Sequence, residues 1–412
     1  MGVAAHPQNQ PRLDATGRRV VAGYGILQPR LVPPLPLAAE STPYHWLFSG
    51  QSGIDPYSAM TSDVYQDVFG EGSFTGKGLL NVAALHAVMG DRLPSEQVLS
   101  HDLLEGALAR CGVVSDVTLI ESEPHQPAVA NARLHRWTRG DWQLLPFVLQ
   151  PHRWPMATIN RWKLLDNLRR SLVAPALVVL LLLSMLGVGL TPLATLVLAL
   201  VALAAGPLMG AAAGLLPARG GFAWRRYYRG ALLDVGRALA TGLWHLAHLL
   251  PQASRNTDAI GRSVYRLTIS RRLLLEWTPA AALHTTTRPR LAVVCSRHAP
   301  GPLLAAGLLA ALLATGHTPA WPTLAVLGLW MLAPALTWVA VHLRLHTVRP
   351  PLTPDQTTHL LHVARDTWRL FERVVDADNH HLPPDNLQTS PVDMLATRTS
   401  PTNIGLYLLS VG

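Results

Sequence analysis

Apolar and polar positions interleave in short, turn-punctuated stretches up to about residue 155, merge into long uninterrupted apolar runs between about 171 and 341, and return to helical spacing near the end of the chain. In the first regime, Arg18 to Pro29 reads as one or two β-branched strand segments punctuated by glycine and stopped by proline. Leu79 to Met89 has helical spacing, with Gly90 to end it, and a second helix carries Leu103, Leu104, Ala107 and Leu108 on one face behind Ser100 as N-cap. Val113 to Ile120 predicts a short strand. Asn131 is placed to cap a further helix that holds Arg133, Arg136 and Trp137 on one face and His135 and Arg139 on another.

The apolar runs predict membrane helices. From Ser171 to Ala218 there is no charged residue, and Gly187-Val-Gly-Leu-Thr-Pro192 breaks the run near its middle, as a helical hairpin requires. A second hairpin spans about Ala299 to Val341, turning at Gly316-His-Thr-Pro319 and kinked by Pro334. The expected spans are about 171–190, 193–216, 299–315 and 319–341. Between the hairpins, residues 219–297 hold thirteen arginines against Asp234, Asp258 and Glu276, with interleaved Trp and Tyr, the composition of helices at a membrane surface. Beyond Pro350-Pro351, residues 356–375 form an amphipathic pattern, 376–401 are polar, and an apolar helix opens at Asn403. A first strand with nothing before it to build a sheet, and a last helix of a few turns, lead to the expectation that the chain begins and ends in mid-domain.

Composition sharpens this picture. Only 14% of residues are charged and 49% are hydrophobic, as a polytopic membrane protein with polar flanks demands. The formal charge of +9 comes from arginines crowded beside the apolar runs, where phospholipid headgroups attract them, so nucleic acid is not the expected partner. Arginine flanks the outer ends of both hairpins and their tips are uncharged, giving an in-out-in-out-in topology with both polar parts cytoplasmic. Cys111 and Cys295 follow no metal or redox spacing.

Candidate chemistry concentrates in Ser100 to Gln143. Asp102 and Glu105 sit in the first turn of a helix, where they complement its dipole or serve catalysis. Arg133 and Arg136 have the planar, permanently charged fork that holds a pyrophosphate, and Trp137 supplies a face for a sugar, although the same residues suit a juxtamembrane helix. Phe69 to Gly78 contains four glycines and Lys77, but Gly78 follows the lysine where a P-loop has Ser or Thr, so the stretch reads as a tight loop and triphosphate hydrolysis is not the expected chemistry.

In order along nearly the whole chain, several motifs resemble the cyclic β-1,2-glucan synthases of Gram-negative bacteria. They are Gly23-Tyr-Gly-Ile-Leu-Gln-Pro-Arg30, Gly53-Ile-Asp-Pro-Tyr57, the Ser62–Gly78 stretch, Leu99-Ser-His-Asp-Leu-Leu-Glu-Gly106, His135 to Gln143, Arg161 to Ser171, Arg271 to Trp277, Leu382-Pro-Pro-Asp-Asn386 and Arg398 to Leu406. The resemblance implies an α/β plus membrane-α fold. Its parts are an incomplete GT-A-type (Rossmann-like) domain at 1–155, a membrane region at 156–345 with about four spans and interfacial helices, and a linker with the first helices of a glucoamylase-like (α/α) barrel at 346–412. It further implies inverting glucosyl transfer from UDP-glucose to a β-1,2-glucan at the inner membrane, assisted in the intact parent by Mg²⁺ or Mn²⁺.

By the same resemblance, the Ser-His-Asp acid corresponds to Asp102 as general base. The Gln-x-x-Arg-Trp motif corresponds to Arg133, Arg136 and Trp137, with arginine in place of glutamine, so Arg136 would steady the leaving UDP and Trp137 the acceptor. Glu71 and Lys77 fall in a loop brought against the sugars, and Arg398, Ser400 and Asn403 at a sugar-facing barrel rim. No metal ligand is expected here, because the family's uridine-binding strand and metal-binding Asp-x-Asp lie ahead of the Gly23 motif. Asp376-Ala-Asp378, the one Asp-x-Asp present, corresponds to a linker. The expected consequence is a fragment that is inactive alone. The alternatives are a non-catalytic anchor or scaffold pairing with a separately encoded remainder of the synthase, and another polymer-forming glucosyltransferase.

Overall fold

The computed structural model describes residues 2–34, 41–48, 63–90, 92–93, 97–121, 124, 126–216, 223–277, 290–316, 318–344 and 352–411. The Gly53–Tyr57 motif and Ser62 lie outside them. The chain divides into two units, 1–346 and 347–412.

In the first unit the central strand, Ile26–Val32, pairs antiparallel with Leu79–Leu80 and parallel with Cys111–Ile120. The strand does not stop at Pro29. The ladder slips its register between Pro29 and Arg30, and at such an irregularity a residue without an N–H is tolerated, so pairing resumes as far as Val32. Leu79 and Leu80 belong to the edge strand and not to the following helix, which is Val82–Met89. Asn81 sets that start, its side-chain oxygen accepting from the Ala84 N–H at 3.0 Å.

The next helix is Asp102–Ala109. Its N-cap is His101 and not Ser100, and no side chain caps it, which leaves Asp102 as the first helical residue. Leu104, Ala107 and Leu108, spaced three and four apart, are buried against Ile26, Val88, Cys111, Leu144, Phe147 and Trp154. Each leucine buried in this way contributes about 1.5–3 kcal/mol. The helix expected from Asn131 begins earlier, at Pro127, and runs to Gln143. Proline is favoured at a first helical position because the N–H it lacks has no intrahelical partner there, so Asn131 lies inside the second turn.

The first membrane-length helix also starts earlier than expected. Thr158–Met185 is one helix of 28 residues, about 42 Å long, which carries a basic collar of Arg161, Lys163, Arg169 and Arg170 and the apolar run without interruption. Its Leu164 belongs to the core of the α/β part, while Ala174, Leu177 and Leu181 belong to the core of the helix bundle. Gly187 and Gly189 turn the chain with positive φ into Pro192–Ala213. Trp321–His342 is the third helix long and apolar enough to cross a membrane. In place of a straight fourth, Leu291–His298 and Pro300–Ala314 form a pair bent by 57°, with Pro300 at the elbow. Trp224–Ala247 and Leu249–Tyr265 lie between the hairpins in sequence. Their junction enters the bundle: Leu246, Leu249 and Ala253 are buried with Val326, Leu327 and Trp330, and Trp330 Nε1 donates to Leu246 O at 3.0 Å.

The second unit contains Pro354–Val374, a hairpin of Asn386–Gln388 and Met394–Ala396, and Pro401–Val411. Thr353 and Gln356 form a reciprocal capping box at its start. Trp368, Phe371 and Tyr407 cluster with ring centroids 4.9–6.0 Å apart.

Candidate active site

Three elements of the first unit meet at a cleft of about 900 Å³: the 73–77 loop, the head of the Asp102 helix and one face of Pro127–Gln143. The start of Thr158–Met185 forms a fourth wall. Lys77, Asp102, Arg133, Arg136 and Trp137 all line it, so five residues singled out in sequence share one cavity.

Two glycines allow the close approach. At Gly76, with φ of +90°, a Cβ would stand 3.1 Å from an Asp102 carboxylate oxygen, so the loop backbone crosses directly over the acid. At Gly140 a Cβ would stand 2.5 Å from that of Ser100, so only glycine lets the arginine-bearing helix press on the Ser-His-Asp turn. The loop is held to the central strand by Gln28, whose side-chain oxygen accepts from Thr75 N–H at 2.8 Å and whose amide donates to the Thr75 hydroxyl.

Asp102 is half-buried, and loss of solvent raises its carboxyl above the ordinary carboxylate range. His101 opposes that rise, Glu105 adds to it, and Arg136 and Lys77 pull it back. His101 Nδ1 stands 2.6 Å from Glu105 Oε1, and this carboxylate raises the imidazole's proton affinity. Ligating atoms of His101, Asp102 and Glu105 come within 4.8 Å of one another. They fit the Mg²⁺ or Mn²⁺ that the resemblance implies poorly, since Glu105 is taken up by the His101 imidazole and only Asp102, the candidate base, is left to ligate it. Asp376, of the Asp-x-Asp pair, spends one carboxylate oxygen on the backbone and side-chain N–H groups of Asn379, at 2.9 and 2.8 Å. That is a local turn.

Arg133 lies over the Trp137 ring at 4.5 Å, one helical turn away. Arg136 faces a different ring, that of Trp277, at 4.7 Å. Trp277 reaches the cleft because the 271–277 segment is bound to Pro127–Gln143. Arg139 is buried and donates to Glu276 O at 2.7 Å and Leu274 O at 3.2 Å, while Gln143 Nε2 donates to Leu274 O at 3.0 Å and Gln143 Oε1 accepts from Leu99 N–H at 2.7 Å. Trp277 was visible in the sequence as part of a motif, but its partner lies 141 positions earlier, beyond the reach of any helical or strand period.

Further cleft residues escaped the sequence reading. Lys163, buried, donates to Gly72 O at 2.8 Å and lies over the Tyr65 ring. Asp166 binds Arg169 and Arg170, both at 2.7 Å. Asp141 accepts from Asn167 Nδ2 at 3.1 Å, and the protein packed around it pushes its carboxyl up to about 7. Their signal was the basic collar, which reads as membrane flanking until the helix is seen to begin at Thr158.

Glu71 and the three residues of the second unit lie outside this cleft, and Lys77 lies at its edge. Glu71 is buried away from the cleft lining and accepts from Asn160 Nδ2 at 3.0 Å. Lys77, exposed at the rim, pairs with Glu121. In the second unit, Arg398 Nε donates to Asp385 at 3.1 Å, Asn403 Nδ2 to the same carboxylate at 3.3 Å, and Ser400 Oγ accepts from Asn403 N–H at 3.2 Å.

An arginine-lined cleft beside helices long and apolar enough to cross a membrane marks the chain as a membrane protein. Over 419 aligned residues, the whole of this chain, it is 38% identical to the cyclic beta-(1,2)-glucan synthase NdvB of Rhizobium meliloti (strain 1021). The resemblance to the cyclic β-1,2-glucan synthases thus holds along the full chain, which spans 14% of that relative's length. No protein-family model matches the chain.

Proposed function

We propose that the chain carries the acceptor-side wall of a membrane glucosyltransferase that builds β-1,2-glucan from UDP-glucose. The observation that carries this reading is the convergence of Asp102, Arg136 and Trp137 on one cleft seated on the first membrane-length helix. The similarity to a glucan synthase supports the choice of polymer.

In this mechanism Asp102 accepts the proton of the acceptor hydroxyl as that oxygen attacks the anomeric carbon. The bond to the UDP oxygen breaks on the opposite face, and negative charge moves to the diphosphate. Arg136, held between the cleft and the Trp277 ring, stabilises that charge. Trp137 offers its face to the acceptor sugar, with Arg133 fixing the ring. Transfer needs Asp102 ionised, and its raised proton affinity makes it a stronger base than an ordinary carboxylate.

The donor nucleotide needs a divalent cation to shield its phosphates, a role we assign to residues other than the Asp102 wall of the cleft. On this reading the chain does not turn over UDP-glucose without the rest of a synthase. Membranes carrying only this chain should incorporate no labelled glucose from UDP-glucose above background, and sustained incorporation would overturn the proposal. The inner membrane, with both polar units cytoplasmic, is the location this function requires, since UDP-glucose is a cytoplasmic metabolite.

A further inference from the structure

A second cavity, of about 520 Å³, lies in the first unit at the elbow of the bent helix pair. Its lining combines cationic and apolar side chains. Arg255, Arg297 and His298 supply cationic and hydrogen-bonding heads, while Leu250, Val294, Pro300, Leu304 and Val341 supply hydrocarbon. Among the described residues no carboxylate lines it, and the side chains of Arg255 and Arg297 make no hydrogen bond or ion pair with a described residue, Tyr44 acting on Arg255 electrostatically. Arg255, half-buried, and Arg297, exposed at the mouth, offer an anion two guanidinium forks beside an apolar wall. Burial around Arg255 lowers its proton affinity, as expected of a guanidinium without a counter-ion.

The cavity's depth identifies the anion's source. Thr337 and Val341 belong to the last turns of the membrane-length helix Trp321–His342, and Pro300, Gly301 and Leu304 to the first turns of the apolar Pro300–Ala314. The arginines therefore lie at the level where apolar helix gives way to charged sequence, which is headgroup depth in a bilayer. At Gly301 a Cβ would come no nearer than 4.0 Å to a Leu250 methyl, so the elbow leaves room beside Leu250.

We propose that this cavity is a binding site for an anionic phospholipid, its phosphate held by Arg255 and Arg297 and an acyl chain lying along Leu304, Leu250 and Val341. Arg255 also lines the large cleft, so the occupied site neutralises a cation at the cleft's rear wall. The proposal stands apart from glucosyl transfer, since it concerns binding to the chain alone.

The test is native mass spectrometry of the purified chain in neutral detergent, titrated in separate arms with short-chain phosphatidylglycerol, short-chain phosphatidylcholine and inorganic phosphate. Phosphatidylglycerol should be retained in preference to both others. Arg255→Gln and Arg297→Gln should each weaken that preference about fivefold, the contribution of one basic residue near a lipid surface. The exposed pair Arg225 and Arg226, changed to Gln off the cavity, should leave it intact. Equal uptake of the two lipids by the unaltered chain would overturn the proposal, and that comparison requires no variant to fold. Survival of the preference when Arg255 and Arg297 are both changed to Gln would also overturn it, and binding of inorganic phosphate as strong as that of the lipid would overturn the lipid assignment in favour of a soluble phosphate.

Discussion

At the scale of the residue, what gives the Ser100–Gln143 stretch its chemistry is the set of charges around Asp102. Burial and Glu105 raise its proton affinity, and Lys77 and Arg136 restrain the rise. The base works only when ionised, so activity falls as pH falls through its pKa. Lys77→Met in an intact synthase removes one restraining cation and should move the acid limb of the kcat/KM profile to higher pH; an unmoved limb would detach Lys77 from the base. Asp141 gives a stability prediction of opposite kind. Its carboxyl titrates near 7 in the fold against 3.8 ordinarily, so the folded state holds more protons than the unfolded between those values. The associated stability is fully present below the ordinary value and is lost as pH rises to about 7. Asp141→Asn should therefore raise the melting temperature at about pH 8 and leave it nearly unchanged at about pH 4, and equal effects at both would refute the assignment.

At the scale of the element, the determining piece is Thr158–Met185, one helix belonging to two cores. Reading it from Ser171 gave the membrane span but hid the cleft wall, because charge density divides a sequence where hydrogen bonding does not. The Asp102 helix was legible from the three-four spacing of Leu104, Ala107 and Leu108, and the turn at Gly187 from its glycines. The edge strand Leu79–Leu80 was not legible, since two residues carry no period and their pairing partner, Ile26–Leu27, is remote. The docking of 271–277 was hidden for the same reason. It rests on Arg139 donating to carbonyls far along the chain. Arg139→Ala removes the side-chain donor to Glu276 O and leaves Leu274 O to Gln143 alone, and charge-assisted bonds of this kind contribute about 1.5–3 kcal/mol each. Hydrogen exchange should then show 271–277 opening while the Leu104 core stays protected, and uniform loss of protection would mean that Arg139 supports the whole fold instead.

At the scale of the whole molecule, composition and the positive-inside pattern predict two hairpins whose uncharged tips face away from the cytoplasm. Three straight helices and one bent pair satisfy the length that pattern needs. What the pattern could not foresee is the bend, because a proline at the head of an apolar run favours either a first turn or a kink. Topology is open to a direct check: Val188→Cys at the exposed first turn should react with a membrane-impermeant thiol reagent added outside intact spheroplasts, while the natural, exposed Cys295 should react only after lysis. Reaction of Cys295 from outside would invert the orientation. Both candidate sites, the cleft and the elbow cavity, then lie on the side where nucleotide sugars and anionic headgroups are found.

The central claim, that the Ser-His-Asp acid at the head of the Asp102–Ala109 helix is the base for sugar transfer, is most directly tested by glucose incorporation from UDP-glucose in membranes carrying the intact synthase with Asp102→Asn. The account predicts a fall in kcat of about 10²–10⁴-fold with UDP binding retained. Near-normal turnover in that variant would contradict it.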